Sequence, residues 1–309
     1  MRGLALEGGG AKGAYQIGVA KALLENGYEF DGFVGTSIGA VNAAALAQGD
    51  IETALSIWLN ISMDKLFGRN LLTKIISERA INTDKIKALI EQSIDEKKVR
   101  ASGKDFGLVT ISRNDFKPHK LMLEDIPEGQ LINYIMASAS FPGFRSEKID
   151  DASFLDGAFY DNCPYGLLYD KGYDEIIVIR TNAHGVFRKV RDSQIVKVIS
   201  PVENLGHMMR FSQKRSERNI KLGYFDGLRY AQGLRGMMYY IKPFDMPKDY
   251  DYSDFIISLL EFAARERGIE RFRVYDYAEL CAILKERPLP HERKTAVDRL
   301  IDEIITCAY

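Results

Sequence analysis

Residues 1–19 read MRGLALEGGGAKGAYQIGV, and residues 29–39 read EFDGFVGTSIG. Each stretch contains a short, mostly apolar run, which predicts strands at residues 2–7 and 29–34. Between them, residues 12–25 place apolar side chains at a spacing close to that of one helix face. A strand, a helix and a second strand in this order predict a βαβ unit whose two strands are parallel.

Three consecutive glycines end the first predicted strand, and two kinds of site contain such a run. Together with Gly13 they match the G-x-G-x-x-G pattern of a dinucleotide-binding loop, which by itself is a weak signal. That loop also requires an acidic residue at the carboxyl end of the second strand, whereas Asp31 lies near its beginning. We favour the other interpretation, in which the backbone N–H groups of Gly8, Gly9 and Gly10 form an oxyanion hole. A tight turn that binds nothing would have the same sequence.

The second predicted strand ends in GTSIG, where Ser37 lies between Gly35 and Gly39. A G-x-S-x-G sequence between a strand and a helix is typical of a nucleophile elbow, whose sharp turn needs small neighbours and exposes one serine hydroxyl. A serine that merely caps a helix has the same local sequence. The glycine run favours the nucleophile, because parallel strands end at the same edge of a sheet and bring Gly10 close to Ser37.

A serine nucleophile needs a neighbouring group that takes its proton. The chain has four histidines, and none stands in a recognisable catalytic sequence: His119, His184, His207 and His291. The last three follow Ser37 in the order in which an α/β-hydrolase places its histidine. A carboxylate is the alternative. Asp156 and Gly157 follow a short apolar run, which fits an aspartate at the end of a strand and also an ordinary Asp-Gly turn.

Five stretches in a fixed order resemble the motifs of the patatin-like phospholipase family. They are GGGAKG at residues 8–13, GTSIG at 35–39, ASASFPGF at 137–144, DGA at 156–158 and DNCPY at 161–165. The resemblance covers residues 4–200 well and residues 201–309 loosely. It implies a three-layer α/β/α fold with a mostly parallel central sheet. It also implies a catalytic dyad without histidine, in which Ser37 is the nucleophile and Asp156 the general base.

The same resemblance implies that five further residues support these motifs: Lys12, Gly13, Gly35, Gly39 and Gly157. Lys12 follows the glycine run, and the family often has lysine or arginine at this position. Its charge would attract a lipid phosphate or a developing oxyanion. An ordinary surface lysine would instead be solvated there.

The activity that the resemblance implies is that of a serine acyl hydrolase of the phospholipase A or lysophospholipase kind. Such an enzyme cleaves lipid or fatty-acyl esters through an acyl-enzyme intermediate, without a metal or cofactor. The alternative is a non-catalytic protein that binds lipid or acyl chains. The apolar segment 57–76 would line an acyl channel, form a lid or simply pack in the core. The basic segment 210–221 would contact anionic lipid at a membrane surface or form a solvated helix face.

Composition excludes several other classes of protein. The chain has 309 residues with 42 basic and 43 acidic side chains, so no excess positive charge favours nucleic acid. Cys163, Cys281 and Cys307 are too widely spaced for a zinc site and predict a reduced, intracellular protein. Glu7 and the glycines interrupt any signal-peptide core, and no apolar run is long enough to cross a membrane. We expect a cytoplasmic protein, with peripheral membrane contact as a further hypothesis; its oligomeric state is open.

The rest of the chain alternates strands with helices as far as about residue 200, which predicts an α/β domain with a largely parallel sheet. Further strands are predicted at residues 106–112, 119–123, 175–179 and 195–199. Further helices are predicted at residues 38–47, 50–60, 82–94 and 129–139. Helical patterns dominate after residue 201, at 204–238, 253–266 and 295–307. We therefore expect a patatin-like domain over residues 1–200 and a helical region over residues 201–309, packed on the same body.

Overall fold

An eight-stranded sheet forms the centre of the first part of the chain. In chain order the strands are Arg2–Leu6 (β1), Gly32–Gly35 (β2), Asp105–Ser112 (β3), Pro118–Met122 (β4), Lys148–Ile149 (β5), Ala152–Asp156 (β6), Glu175–Ile179 (β7) and Val196–Ile199 (β8). They lie in the order β5-β6-β3-β2-β1-β7-β8, and β4 also pairs with β3. Strands β3, β2, β1, β7 and β8 pair in parallel, which confirms the predicted mostly parallel sheet.

The computed structural model describes residues 1–68, 81–145, 148–244 and 253–288, together with Arg299. The chain divides into two compact units, Met1–Tyr224 and Phe225–Tyr309. The domain boundary expected at residue 200 stays a prediction. Apart from Arg299, the helix predicted over residues 295–307 lies outside the described residues.

Helices follow most of the strands of the first unit. They are Ala14–Glu25 (α1), Ile38–Ala47 (α2), Ile51–Asn60 (α3), Met63–Phe67 (α4), Asp84–Ser93 (α5), Glu96–Ala101 (α6), Leu131–Ser138 (α7) and Gly166–Asp170 (α8). The long helix Gln213–Gln232 (α9) comes after β8, where the sequence predicted a helical stretch. The second unit contains a helical pair, Ser253–Glu266 (α10) and Tyr277–Glu286 (α11), and two short parallel strands, Tyr240–Ile241 (β9) and Val274–Tyr275 (β10).

Both faces of the central sheet are covered. Ala5, Val34 and Val178 belong to one buried cluster that also contains Leu168 of α8. Neighbouring side chains of a strand point to opposite faces, so Leu6 of β1 lies on the other face, and it is fully buried as well. A parallel sheet that is buried on both sides is the middle layer of the expected three-layer fold.

The register of β3 brings the ends of two other strands together. The first half of β3 pairs in parallel with β2, and Leu108 lies opposite Gly35. Two residues further on, Thr110 lies opposite Asp156, the last residue of the antiparallel strand β6. Because β4 occupies one edge of β3 over this stretch, β2 and β6 share the other edge and meet at their carboxyl ends. The chain that follows Gly35 therefore lies next to Asp156.

Several predicted elements differ at their boundaries, and two of these differences affect the segments next to Gly8–Gly10 and Ser37. The helix predicted over residues 12–25 begins at Ala14, because Gly10–Gly13 form a 3-10 turn before it. The strand predicted over residues 29–34 is Gly32–Gly35, so it ends directly before the elbow. This later end leaves a single residue, Thr36, between the strand and Ser37.

Candidate active site

Ser37 occupies the turn between β2 and α2 in a backbone conformation that serine rarely adopts. Its φ is 56° and its ψ is −127°, a region that costs a residue other than glycine about 1–3 kcal/mol. A Cβ atom at Gly35 would lie 2.2 Å from the carbonyl group of Gly39, and one at Gly39 would lie 2.2 Å from the carbonyl oxygen of Leu6. Space therefore requires both glycines, as in a nucleophile elbow.

Ser138 holds this turn from the side of α7. Its hydroxyl accepts a 2.9 Å hydrogen bond from the backbone N–H of Ser37 and donates a 2.7 Å hydrogen bond to the carbonyl oxygen of Val109. Ser138 is fully buried. Sequence reasoning singled out its stretch, ASASFPGF, only as a family resemblance; the role of this hydroxyl comes from the structure.

Asp156 ends β6 and is almost completely buried, with 1% of its surface exposed. Its carboxylate accepts a 2.9 Å hydrogen bond from the backbone N–H of Ala158. Burial raises the pKa of Asp156 from 3.8 to about 6, although hydrogen bonding by Ala158 and by the Ser37 hydroxyl lowers it in part. Gly157 allows the turn that follows, because a Cβ atom there would lie 2.1 Å from the carbonyl oxygen of Val109. The two residues of the predicted dyad are thus neighbours, and the carboxylate is a stronger base than an exposed aspartate.

The glycine run differs from its prediction at one position. The backbone N–H of Gly8 donates a 2.9 Å hydrogen bond to the carbonyl oxygen of Asn162, so this donor is already used. Within the described residues, the backbone N–H groups of Gly9 and Gly10 have no hydrogen-bond partner. Their φ angles are 157° and 56°. A Cβ atom at Gly10 would lie 2.4 Å from the carbonyl oxygen of Met208. An oxyanion hole in this loop would therefore consist of Gly9 and Gly10.

Glu7 anchors the glycine run, although the sequence analysis assigned it no role. Its side chain is fully buried. One carboxylate oxygen accepts hydrogen bonds from the backbone N–H groups of Thr181 (2.5 Å) and Asn182 (3.0 Å), and the other pairs with Arg180 at 3.0 Å. These contacts tie the end of β1 to the loop after β7. The sequence did contain a signal for this anchoring role, because Glu7 is an acidic residue between a buried strand and a glycine motif.

Lys12 is half-buried, and its ammonium group is engaged. The Nζ atom donates a 2.9 Å hydrogen bond to the carbonyl oxygen of Asn182. Burial lowers the pKa of Lys12, and the charge of Glu7 offsets part of that change. Gly13 lies at the start of α1, where a Cβ atom would lie 2.9 Å from the side chains of Ile38 and Trp58. Lys12 therefore helps to hold the loop after β7, and Gly13 allows α1 to lie close to α2.

The described histidines lie outside the predicted dyad. His119 is on β4, with its ring 5.9 Å from that of Phe154. His184 is exposed, and His207 accepts a hydrogen bond from the backbone N–H of Met209. In the described part of the chain, no histidine forms a hydrogen bond with Ser37 or affects the pKa of Asp156. His291 lies outside the described residues.

An apolar cavity opens beside Ser37 and Asp156. Ser37, Asp156 and Gly10 all line it, and it encloses about 970 Å³, including the part open to solvent. Most other lining side chains are aliphatic, aromatic or methionine: Ile38, Val41, Ala45, Ala54, Ile57, Trp58, Ile61, Leu66, Phe67, Ile86, Leu89, Ile90, Ile94, Ala139, Phe141, Phe144, Met208, Met209 and Phe211. Five of them belong to the apolar segment 57–76, whose residues 69–76 lie outside the described part.

The basic segment 210–221 is partly engaged within the protein. Arg215 donates hydrogen bonds to the carbonyl oxygens of His207 and Arg210, and Arg218 pairs with Glu203. Lys214 is exposed. The described residues include no helix long and apolar enough to span a membrane, and no cluster of histidine, cysteine, aspartate or glutamate side chains suited to a metal ion.

Several known proteins have sequences similar to that of this chain. A patatin-like phospholipase domain-containing protein of Caenorhabditis elegans is 29% identical over 180 residues, which are 55% of this chain and 13% of the relative. A lysophospholipase of Coccidioides immitis is 27% identical over 273 residues, which are 82% of this chain and 16% of the relative. The chain thus spans less than a fifth of the length of either relative.

A solved structure and a family profile complete the comparison. The crystal structure of VipD from Legionella pneumophila matches with a TM-score of 0.53 and 14% identity, over 99% of this chain and 84% of VipD, and shows a shared fold. The profile of the family described as patatin-like phospholipase matches residues 4–169, more than half of the chain. The resemblance predicted from the motifs is confirmed: this chain belongs to the patatin-like phospholipase family.

Proposed function

We propose that this protein is a serine acyl hydrolase that cleaves carboxylic esters of lipids, with Ser37 as the nucleophile and Asp156 as the general base. The observation that carries the proposal is the position of both residues on one apolar cavity, with the glycine loop beside them. Relatives that are named phospholipase and lysophospholipase support a lipid ester as the substrate.

The first half of the reaction forms an acyl-enzyme. Asp156 accepts the proton of the Ser37 hydroxyl while the serine oxygen attacks the carbonyl carbon of the ester. Negative charge develops on the carbonyl oxygen, which the N–H groups of Gly9 and Gly10 stabilise. The bond to the alcohol then breaks, and the alcohol leaves with the proton that Asp156 returns.

The second half releases the fatty acid. Asp156 accepts a proton from water, whose oxygen attacks the acyl carbon, and the serine oxygen leaves and recovers its proton. A pKa of about 6 leaves Asp156 ionised at neutral pH and still a useful base, because burial has raised its proton affinity. The raised pKa of Asp156 therefore supports a dyad that works without histidine.

The apolar cavity would hold the acyl chain. Its walls consist almost entirely of hydrocarbon and thioether side chains, so it favours a long acyl group over a polar one. The composition of the chain also predicts a cytoplasmic protein, and the basic segment 210–221 predicts peripheral membrane contact. For that contact Lys214 is the better candidate, because Arg215 and Arg218 already bind groups of the protein.

Hydrolysis of p-nitrophenyl esters from acetyl to palmitoyl tests the proposal. We expect turnover by the wild-type protein, loss to background in Ser37→Ala, and unchanged rates in the control Ser193→Ala, whose exposed serine lies away from the cavity. A fluorophosphonate probe should label the wild type at Ser37. Equal turnover in wild type and Ser37→Ala would contradict the proposal. Binding of long acyl chains with neither turnover nor labelling would favour the non-catalytic lipid-binding protein.

A further inference from the structure

A second cavity of the first unit lies against the chain segment that follows Asp156. Its charged lining residues are Lys120, Asp161, Arg188, Lys189 and Arg191. It shares no lining residue with the apolar cavity and encloses about 700 Å³, including the part open to solvent. Four cationic side chains and one carboxylate thus line the same cavity.

Two of the four cations, Arg188 and Lys120, lie against a tyrosine ring and form no ion pair among the described residues. The guanidinium group of Arg188 lies 4.5 Å from the ring centre of Tyr160 and donates a 2.9 Å hydrogen bond to the carbonyl oxygen of that residue. The ammonium group of Lys120 lies 5.6 Å from the same ring centre. In the described part of the chain, Lys120, Arg188 and Lys189 form no ion pair, whereas Arg191 pairs with Asp170.

The single carboxylate of the cavity leaves this charge unbalanced. Asp161 has only 6% of its surface exposed and accepts a hydrogen bond from the backbone N–H of Cys163. Arg191 is already paired with Asp170, and Asp161, even when ionised, balances only one of the other three cations. Cations that are gathered in a concave site repel one another and attract anions to the same place.

We propose that this cavity binds a phosphate group of an anionic ligand, with Arg188 and Lys120 as its main contacts. A phosphate carries up to two charges and several acceptor oxygens, so it can meet several cations at once. The planar guanidinium of Arg188 suits such an oxygen pair, and Lys120 supplies a compact point charge. A carboxylate brings a single charge, which matches this excess less well.

The proposed phosphate site is separate from Ser37. One of its residues, Asp161, nevertheless contacts the turn that holds Ser37. The carbonyl oxygen of Asp161 accepts a 2.8 Å hydrogen bond from the hydroxyl of Thr36, the residue before the nucleophile. The N–H of Asp161 donates a 2.9 Å hydrogen bond to the carbonyl oxygen of Gly157. Because these are backbone contacts, a change to Lys120 or Arg188 leaves them in place, and binding can be measured independently of ester hydrolysis.

Calorimetric titration of the full chain with inorganic pyrophosphate tests the proposal for a free ligand. A second arm uses co-sedimentation with phosphatidylcholine vesicles, with and without phosphatidic acid, to test a lipid headgroup. The variant carries Lys120→Gln and Arg188→Gln. The control carries Lys97→Gln and Arg265→Gln, which removes two exposed positive charges elsewhere. Thermal unfolding should show that both double variants are folded.

We expect wild type and control to bind at least one of the two probes alike, and the Lys120/Arg188 variant to bind it at least tenfold more weakly. Pyrophosphate binding without a vesicle preference would identify a free phosphate ligand. Binding only to vesicles that contain phosphatidic acid would identify a headgroup. Equal binding by all three proteins, or binding of neither probe by the wild type, would overturn the proposal.

Discussion

Two buried aspartates, five positions apart, lie in two different cavities. Asp156 lines the apolar cavity beside Ser37. Asp161 lines the second cavity, here called the basic cavity because four cationic side chains line it. Burial raises the pKa of each of them to about 6. For Asp161, hydrogen bonding by the Cys163 N–H and the charges of its cationic neighbours lower the pKa in part. The same value therefore arises in two different settings.

The comparison teaches that a shifted pKa does not by itself identify a general base. What separates the two acids is the group within reach: a serine hydroxyl for Asp156, and cationic side chains for Asp161. A base must contact the proton that it removes. Geometry therefore supports the catalytic role proposed for Asp156 and the ligand site proposed around Asp161.

The largest expected effect comes from neutralising each acid in turn. Asp156→Asn removes the base and should lower kcat/KM for p-nitrophenyl esters by about 10²–10⁴-fold. Asp161→Asn should leave kcat/KM within a few fold, because its side chain contacts neither Ser37 nor the apolar cavity. Steady-state kinetics of both purified variants measures the difference. Equal losses would show that the two acids act as one unit.

The pH profile sharpens the same comparison. Only ionised Asp156 accepts the serine proton, so kcat/KM should be level above its pKa of about 6 and fall about tenfold per pH unit below it. Asp161→Asn should keep this acidic limb at the same position. If the limb moves or disappears in Asp161→Asn, then Asp161 contributes to the titration, and the prediction that Asp156 alone causes it is wrong.

The ionisation of Asp156 should lower the free energy of unfolding, whereas it raises kcat/KM. The folded-state pKa of Asp156 is above its ordinary 3.8, so its contribution to stability is complete below pH 3.8 and is lost as the pH rises to about 6. At pH 8 the buried charge should lower the free energy of unfolding by about 3 kcal/mol. Urea unfolding should therefore show Asp156→Asn to be more stable than wild type at pH 8, with the gap closing near pH 4. A gap independent of pH would contradict this.

The smallest expected effect concerns the length of the acyl chain. Val41 lines the apolar cavity, so Val41→Phe should shorten it and lower the ratio of palmitoyl to acetyl ester hydrolysis about tenfold. The control is Leu59→Phe on α3, because Leu59 lines a different surface groove. An unchanged ratio in Val41→Phe would place the acyl chain outside this cavity.

The parts of the site that the sequence predicted are those set by local pattern. Apolar runs followed by Gly8 and Gly35 indicate strands that end at one edge, and the small residues around Ser37 indicate a sharp turn. The position of Asp156 needed the family resemblance, because the pairing of β6 with β3 joins segments about 45 residues apart. Short local signals do not encode such pairings.

The features that the sequence analysis missed depend on contacts between distant segments. Glu7 binds residues 180–182, and the Gly8 N–H binds Asn162, so their roles appear only once the sheet is assembled. The basic cavity combines Lys120 with the basic stretch at residues 188–191, and these segments are far apart in the sequence. Basic and acidic residues are nearly equal in number over the whole chain, so the net charge does not reveal the local excess of positive charge in this cavity.

The backbone of Ser37 has a consequence for folding kinetics. Its positive φ is unfavourable in a chain that lacks the sheet, and the hydrogen bond from its N–H to Ser138 joins residues 101 positions apart. The elbow should therefore take its final shape late, after the folding transition state. Glycine tolerates this conformation, so Ser37→Gly should slow unfolding while leaving the folding rate nearly unchanged. A serine held in this way shortens the lifetime of the native state, while its hydroxyl is already in position for the proposed reaction.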